Sequence, residues 1–226
     1  MVINLLNLFF PKVCLGCNGY LGDKESYVCT LCRHQLPSTN FHLDNNDAVK
    51  NVLFGRVNLE NATALLHFSK KGIVQQLMHN LKYRGHQDVG LFLGKWLGEE
   101  LKAIEAYKGI DVVIPVPLHS SKLRKRGYNQ VTKFGQEIAK ALDVEFNTVV
   151  LQKSMATKTQ VFKDRLLRTS GNAATFSIVE NQTLKGKHIL LVDDIVTTGA
   201  TIESCANALL TIEGVKISVA TMAITD

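Results

Sequence analysis

The chain has 226 residues, of which 46% are hydrophobic and 20% are charged, and its formal net charge is +6. This length accommodates one α/β core with a small appendage and excludes a chain of several enzymes. The sequence lacks the roughly 18 uninterrupted apolar residues of a membrane helix, so we expect no membrane insertion. The positive charge favours phosphorylated or otherwise anionic partners without identifying one.

Residues 1–10 are mostly apolar but have the wrong flanks for a secretion signal. A basic region at the start is missing, and Pro11-Lys12-Val13-Cys14 follows where a small-residue cleavage site would stand. We therefore expect a packed terminal segment. Cysteines arranged in Cys-x-x-Cys pairs are typical of metal ligation in a reducing compartment, which predicts a cytoplasmic protein.

Four of the five cysteines form two Cys-x-x-Cys pairs that are separated by eleven residues. Four thiolates at this spacing can surround one Zn²⁺ tetrahedrally, which predicts a closed structural site with no position open for catalysis. Two disulfides and an iron–sulfur cluster are the alternatives. The predicted ligands are Cys14, Cys17, Cys29 and Cys32.

The middle of the chain is predicted from its apolar periodicity. Residues 41–71 give mixed signals, with residues 61–68 as a short strand or the start of a helix. Residue 111 begins an alternation of strands and helices, which implies a mostly parallel sheet. We expect helices at 72–83, 88–107, 131–142 and 202–212, and strands at 111–116, 149–151, 175–179, 188–192 and 216–224.

The strongest motif is residues 188–201, where an apolar strand runs into paired acids and a Thr-Gly turn. The strand would deliver Asp193 and Asp194 to the carboxyl edge of the sheet, where ligands bind in open α/β folds. The turn enters a helix directly, so its N–H groups and hydroxyls can hold a phosphate dianion. Two adjacent carboxylates suit the diol of a ribose, directly or through Mg²⁺. The pattern fits a ribose 5-phosphate, with the phosphate at Thr197, Thr198, Gly199, Ala200 and Thr201.

This motif resembles the signature of the type I phosphoribosyltransferases, which bind 5-phosphoribosyl 1-pyrophosphate. The resemblance implies a mostly parallel α/β phosphoribosyltransferase fold with Asp193 and Asp194 as the catalytic acid pair on the ribose hydroxyls. A protein nucleophile is not required by such chemistry, because Mg²⁺ and basic loops neutralise the departing pyrophosphate.

Two basic segments complete the predicted site. Strand 111–116 runs into a hydroxyl-rich basic turn, where N–H donors and cations would stabilise the charge of a departing pyrophosphate. Segment 153–174 resembles in position the mobile loop that closes over substrate in this superfamily. A solvated basic turn and an exposed linker are the respective alternatives. The candidates are His119, Ser120, Ser121, Lys122 and Arg124 in the turn, and Lys158, Gln160 and Arg165 in the mobile loop.

The chain as a whole resembles the ComF family. The resemblance is carried by the cysteine pairs, Ile114-Pro-Val-Pro-Leu-His119, Arg126-Gly-Tyr-Asn-Gln130 and the phosphoribosyl motif, and residues 54–56 and 81–85 also match family positions. It implies a zinc-binding segment at residues 1–40, a phosphoribosyltransferase-like domain at residues 41–226, and a part in natural transformation with a DNA helicase that acts on incoming single-stranded DNA.

Three functions remain open at this point. The chain is a Mg²⁺-dependent phosphoribosyltransferase of unknown acceptor, a single-stranded DNA-binding adaptor whose phosphoribosyl pocket is not catalytic, or a sensor of 5-phosphoribosyl 1-pyrophosphate that controls a partner. The intact acid pair and turn favour the enzyme. The basic stretches favour the adaptor, because single-stranded DNA binds in cationic grooves.

Overall fold

The computed structural model of the chain describes residues 11–153, 176–179 and 182–225. The apolar segment 1–10 lies outside these residues, as do the mobile-loop candidates Lys158, Gln160 and Arg165. Within the described residues, none of the helices combines the length and the apolar character that a bilayer crossing requires.

A parallel sheet forms the centre of the fold. The strands are β1 (Ala62–Phe68), β2 (Val112–Pro115), β3 (Glu145–Phe146), β4 (Leu151–Lys153), β5 (Phe176–Ile178), β6 (His188–Val196) and β7 (Lys216–Thr225). Five of them make one all-parallel sheet in the order β1-β7-β6-β2-β3, while β4 and β5 form a separate antiparallel pair. The central strands β6 and β7 are buried along nearly their whole length, as their continuous apolar runs require.

Helices cover both faces of this sheet. They are α1 (Thr30–His34), α2 (Ala48–Val52), α3 (Ile73–Tyr83), α4 (Asp88–Lys102), α5 (Ser120–Arg126), α6 (Thr132–Leu142) and α7 (Ala200–Leu209), with short 3₁₀ turns at Glu105–Tyr107 and Gln182–Leu184. Leu190 and Val192 of β6 pack in the core that contains α3, α4 and α6. The alternate residues Ile189 and Leu191 pack on the other face with α2 and α7. The predicted parallel α/β architecture is therefore confirmed.

The cysteine-rich segment shares a core with the sheet and does not stand apart from it. Cys14, Leu15 and Cys32 are buried in the same apolar cluster as helices α3, α4 and α6. Thr39 N donates a hydrogen bond of 3.0 Å to Leu65 O in β1. The boundary at residue 40 stays a prediction.

Strand β6 is longer than the sequence indicated. It continues beyond Val192 to Val196 because β7 supplies partners for this stretch, with Asp193 opposite Thr221 and Val196 opposite Ile224. On its other side, pairing with β2 ends at Pro115 opposite Val192. The acids therefore lie inside β6, beyond the end of β2, with one strand edge open.

The expected basic turn after β2 is instead the short helix α5. The His119 side chain caps it by accepting a hydrogen bond of 3.2 Å from Ser121 N, and Gly127 closes it in the left-handed conformation at φ 81°. Cap residues at both ends favour a helix where composition alone indicated an irregular turn.

Four smaller differences concern element ends. Residues 61–68 contain strand β1, the second expected helix ends at Lys102, the last helix spans 200–209, and the strand expected at 149–151 begins at Leu151. Strand β3 was not predicted, because two residues are too short to show an alternation.

A glycine stripe brings α4 against α6. Gly90, Gly94 and Gly98 are spaced by one helical turn, and a Cβ atom at Gly94 would lie 2.6 Å from the backbone oxygen of Phe134. Because a backbone oxygen cannot swing aside, the Gly94→Ala variant should lower the free energy of unfolding by about 3 kcal/mol. Urea denaturation measures this loss. Lys95→Ala, at an exposed position of the same helix, should change it by no more than about 0.5 kcal/mol, and equal losses would contradict the packing argument.

Candidate functional site

The four paired cysteines converge on one point. Their sulfur atoms all lie within 4.8 Å of one another, and the Sγ atoms of Cys17 and Cys29 are 3.8 Å apart. A Zn–S bond of about 2.3 Å places the sulfurs of a tetrahedral site about 3.8 Å apart, so this separation fits a metal. A disulfide bond is only about 2.05 Å long, and all five cysteines are free thiols. The disulfide alternative is therefore wrong for this structure.

Backbone N–H groups prepare these sulfurs for a metal. Cys14 Sγ accepts from Cys29 N at 3.2 Å and Gly16 N at 3.4 Å, and Cys17 Sγ accepts from Gly19 N at 3.4 Å. Burial opposes ionisation of Cys14, but the backbone donors outweigh it and lower the pKa of this thiol to about 7. Burial raises the pKa of Cys32 instead, so the Cys32 thiol loses its proton only when a metal binds to its sulfur. The cluster is consistent with a structural zinc site.

The paired acids lie near the carboxyl end of β6. Asp193 and Asp194 are each only 8% exposed. Lys82 Nζ of α3 lies 2.8 Å from Asp194 Oδ2, and Gln130 Nε2 donates to the same oxygen at 2.9 Å. Asp193 Oδ1 accepts a hydrogen bond of 2.8 Å from Asp194 N. Two neighbouring carboxylates are thus held in place, one of them by a cation.

Asp193 is the less easily ionised of the two acids. Its burial and the adjacent charge of Asp194 raise its pKa from 3.8 to about 7, although Asp194 N and the ammonium groups of Lys82 and Lys153 act in the opposite direction. A buried carboxylate with a raised pKa is stabilised by a proton or by a further cation. A proton or a cation bound at Asp193 would therefore stabilise the site.

The turn after β6 presents free hydrogen-bond donors. In the described part of the chain, the N–H groups of residues 197–201 have no acceptor. Gly199 has φ 74°, and a Cβ atom there would lie 2.8 Å from Leu53 Cδ2 of the loop after α2, so glycine is required on both grounds. A depression of about 60 Å³ connects Asp193 with this turn. The arrangement leaves a row of N–H groups at the start of α7, where an anion is favoured.

The Arg56 side chain is hydrogen-bonded to the turn and paired with helix α7. Its guanidinium donates to Thr198 O at 2.8 Å and pairs with Glu203 at 2.6 Å, and it also donates to Val52 O. Arg56 therefore ties the loop after α2 to the turn and to α7. Its positive charge therefore lies next to the turn.

The segment Arg126-Gly-Tyr-Asn-Gln130 organises the surroundings of the acid pair. Gln130 contacts Asp194 and is itself held by Arg126, while Tyr128 OH donates to Leu81 O, next to Lys82. Asn129 Nδ2 donates to Val116 O at 2.9 Å, at the end of β2. One short segment thus fixes the acids, the lysine that pairs with them and the neighbouring strand.

The pyrophosphate candidates lie close by but do not touch the acids. His119, Ser120, Ser121, Lys122 and Arg124 belong to α5 and its cap, and Lys122 and Arg124 are exposed. Among the described contacts, none joins these residues to Asp193 or Asp194. A hollow of about 310 Å³ adjoins α5 and is bounded by Pro117, Ser120 and Lys153. Of the five candidates, Ser120 is the one that lines this hollow.

Three side chains that contact the acid pair or the turn were given no role by sequence reasoning: Lys82, Gln130 and Arg56. Each lies in a segment that matches the ComF family, namely 81–85, 126–130 and 54–56. The signal was therefore present. Their partners are far away in the sequence, so only the fold shows that all three meet the acid pair or the turn.

Comparisons with known proteins agree with this geometry. A sequence profile described as the phosphoribosyl transferase domain matches residues 132–226. Competence protein F of Haemophilus influenzae is 24% identical over 214 residues, which are 89% of this chain and 92% of that protein. The chain is thus a distant homologue of a protein named for competence, and its residues 132–226 match a phosphoribosyl transferase domain. A further relative, named DNA utilization protein YhgH, from Escherichia coli O157:H7, is 29% identical over 137 residues, covering 59% of this chain and 60% of its own length.

Among solved structures, the chain is similar to the purine phosphoribosyltransferase from Pyrococcus horikoshii. The two are 19% identical, the match covers 61% of this chain and 73% of that protein, and the TM-score is 0.38. The fold assignment depends instead on the five-stranded parallel sheet and on the matched domain. Together they make this an α/β phosphoribosyltransferase fold.

Proposed function

We propose that the chain binds 5-phosphoribosyl 1-pyrophosphate, or a related ribose phosphate, with Mg²⁺ at the carboxyl end of β6, and that it serves DNA uptake and natural transformation in the cytoplasm. One observation carries the ligand: the turn at residues 197–201 has free N–H groups and follows directly on two buried carboxylates. The part in DNA uptake is supported by relatives named for competence and for DNA utilization.

The turn supplies the chemistry that a 5-phosphate needs. Successive N–H donors at the start of α7, together with the hydroxyls of Thr197, Thr198 and Thr201, match the oxygens of a phosphate dianion. The helix dipole adds a partial positive charge at the same point.

The acid pair supplies the chemistry that a ribose needs. Lys82 and Gln130 already occupy Asp194 Oδ2, so Asp194 is a fixed acceptor for a ribose hydroxyl. Among the described residues no ammonium or guanidinium group forms an ion pair with Asp193. Because carboxylate oxygens are the ligands that Mg²⁺ prefers, Asp193 is the residue that would hold the metal. When bound, Mg²⁺ would neutralise pyrophosphate as it leaves.

A second candidate function is binding of single-stranded DNA without turnover, together with a helicase of the uptake machinery. Lys122, Arg124 and Lys125 are exposed and have no acidic partner among the described residues. The structure adds two aromatic side chains that the sequence did not mark, Phe54 at 84% and Tyr83 at 73% exposure. Exposed aromatic rings and cationic side chains are the two elements that bind single-stranded DNA.

Isothermal titration of the zinc-loaded protein with 5-phosphoribosyl 1-pyrophosphate, with and without Mg²⁺, tests the first function. We expect a micromolar dissociation constant that weakens at least about tenfold without Mg²⁺, because Asp193 would hold the metal and the metal would neutralise charge on the pyrophosphate. The Asp193→Asn/Asp194→Asn variant should lose this binding. A ligand that fails to bind at millimolar concentration would overturn the proposal.

The same variant separates the two candidate functions. If it loses ribose-phosphate binding and keeps its affinity for a single-stranded oligonucleotide, the pocket and the DNA surface are distinct. A Lys122→Ala/Arg124→Ala/Lys125→Ala variant should then weaken oligonucleotide binding and flatten its dependence on salt, because fewer counterions are released. An unchanged salt dependence would remove α5 from the DNA surface.

A further inference from the structure

The cysteine segment packs directly on helix α3, which carries Lys82 in its last turn. Asn80 Nδ2 donates a hydrogen bond of 2.8 Å to Leu15 O, between the first two cysteines. Near the other end of the helix, a Cβ atom at Gly16 would lie 2.9 Å from Ile73 Cγ2. Cys-x-x-Cys residues 14–17 therefore touch α3 near both of its ends.

Asn80 is an unusual residue for the buried face of a helix. Its side chain is 2% exposed, and its neighbours in the core are apolar. A buried amide is tolerated only when it is hydrogen-bonded, and here Leu15 O and Gln76 Nε2 are the partners. Leu15 O lies within the turn that contains Cys14 and Cys17. The hydrogen bond of the Asn80 amide therefore depends on the conformation of that turn.

The same helix end reaches the acid pair. Lys82 follows Asn80 by two residues, and its Nζ atom lies 2.8 Å from Asp194 Oδ2. A lysine side chain has a flexible four-carbon stem with a large rotamer entropy, so a fixed ammonium requires a fixed backbone. Asn80 also accepts backbone hydrogen bonds from Arg84 N at 3.1 Å and His86 N at 3.3 Å, which end the helix beside Lys82.

We propose that the cysteine segment, through the hydrogen bond between Leu15 O and Asn80, positions Lys82 at Asp194. Zinc binding to the cysteines and ribose-phosphate binding at the acid pair then strengthen each other. This inference rests on the proposed function. Asn80 is the positioning residue, and Lys82 is the group it positions. By thermodynamic linkage, the factor by which zinc tightens ribose-phosphate binding equals the factor by which ribose phosphate tightens zinc binding.

The test uses ribose 5-phosphate as the probe and two leucine variants of α3. Asn80→Leu keeps the four cysteines and nearly the same side-chain volume but removes the bond to Leu15 O. It should retain one equivalent of zinc and bind ribose 5-phosphate at least about fivefold more weakly than the wild type. Gln75→Leu, at an exposed position of the same helix, should bind as the wild type does. Equal affinities of the Asn80→Leu variant and the wild type would overturn the inference.

A double-mutant cycle separates positioning from a general loss of structure. In a Lys82→Met background, Asn80→Leu should cause no further loss of ribose 5-phosphate affinity, whereas a purely structural defect would weaken binding again. Competition with a chromogenic chelator gives the reciprocal factor. Saturating ribose 5-phosphate should tighten zinc binding in the wild type by about the factor lost in the Asn80→Leu variant.

Failure of the proposed function would be visible separately. If the zinc-loaded wild type does not bind ribose 5-phosphate at all, the proposed function is wrong, and amide hydrogen exchange of residues 80–86 then decides the positioning claim. Faster exchange of these amides in zinc-loaded Asn80→Leu than in the wild type supports positioning by the cysteine segment. Equal exchange rates overturn it.

Discussion

Removal of zinc by a strong chelator should lower the free energy of unfolding by about 5 kcal/mol and the melting temperature by at least about 10 °C. Residues 11–40 contain one five-residue helix and isolated bridges, so little backbone structure holds them without a metal. Cys14 and Cys32 are nevertheless buried in the main core. Loss of the metal therefore loosens one side of that core as well as the segment itself.

Cys17→Ser is the sharpest variant for this prediction. Cys17 is exposed, so its replacement costs little packing, and any large loss of stability must come through the metal. Cys205→Ala is the matched control, since the fifth cysteine is buried in α7, far in sequence from the cluster. We expect elemental analysis to find little zinc in Cys17→Ser, and its melting temperature to be lower than that of the wild type. Cys205→Ala should keep one equivalent of zinc per chain. A chelated wild type with an unchanged melting curve would contradict the structural role of the metal.

Zinc affinity should also fall as the pH is lowered. The pKa of Cys29 and that of Cys32 are raised in the metal-free cluster, so these thiols are protonated at neutral pH and must release their protons to the metal. At lower pH more protons compete for the same sulfurs. Zinc competition titrations between pH 6 and pH 8 would measure this proton release, at about two or more protons per zinc.

Local sequence signals predicted the parts of the site that come from a single segment. The cysteine spacing gave a cluster whose sulfur atoms do converge, and the strand, acid pair and turn of residues 188–201 are contiguous in the chain. Such features depend on short-range geometry, which composition and spacing record directly. The alternation of strands and helices likewise predicted a parallel sheet.

Features that depend on distant partners were not predicted. The length of β6 is set by β7, which continues to pair beyond Val192, and no pattern within β6 contains that information. The Lys82–Asp194 pair requires α3 to lie over the end of β6, which only tertiary packing decides. Helix α5 was missed for a different reason, since its His119 cap accepts through a ring nitrogen in place of the usual hydroxyl or carboxylate.

Asp193→Asn should stabilise the ligand-free protein at pH 8 by about 2 to 4 kcal/mol while it abolishes ribose-phosphate binding. Burial and the charge of Asp194 raise the pKa of Asp193 from 3.8 to about 7. Each pKa unit corresponds to about 1.4 kcal/mol, and the side chain is only 8% exposed, so solvent screening is weak. Asparagine keeps the Oδ1 acceptor for Asp194 N and carries no charge to desolvate.

The dependence on pH follows from the direction of this shift. The folded protein binds the Asp193 proton more tightly than the unfolded chain does, so the stability contributed by this group is present below about pH 4 and is lost as the pH rises to about 7. Urea denaturation of the zinc-loaded wild type and of Asp193→Asn at pH 5 and pH 8 should therefore show that the variant's advantage in the free energy of unfolding is larger at pH 8. An equal difference in the free energy of unfolding at the two pH values would contradict the buried charge as its cause.

Asp194→Asn is the control that makes this prediction specific. Asp194 pairs with Lys82 at 2.8 Å, so its replacement leaves a half-buried ammonium without its partner and should destabilise the protein by about 1 to 3 kcal/mol. Adjacent residues of the same type should thus give effects of opposite sign on stability. Both variants should still lose ribose-phosphate binding, because each acid serves the ligand: Asp193 through a cation, and Asp194 as an acceptor that Lys82 holds in place. A buried acid that destabilises the ligand-free protein is the expected signature of a binding role, and Asp193 is where this protein should show it.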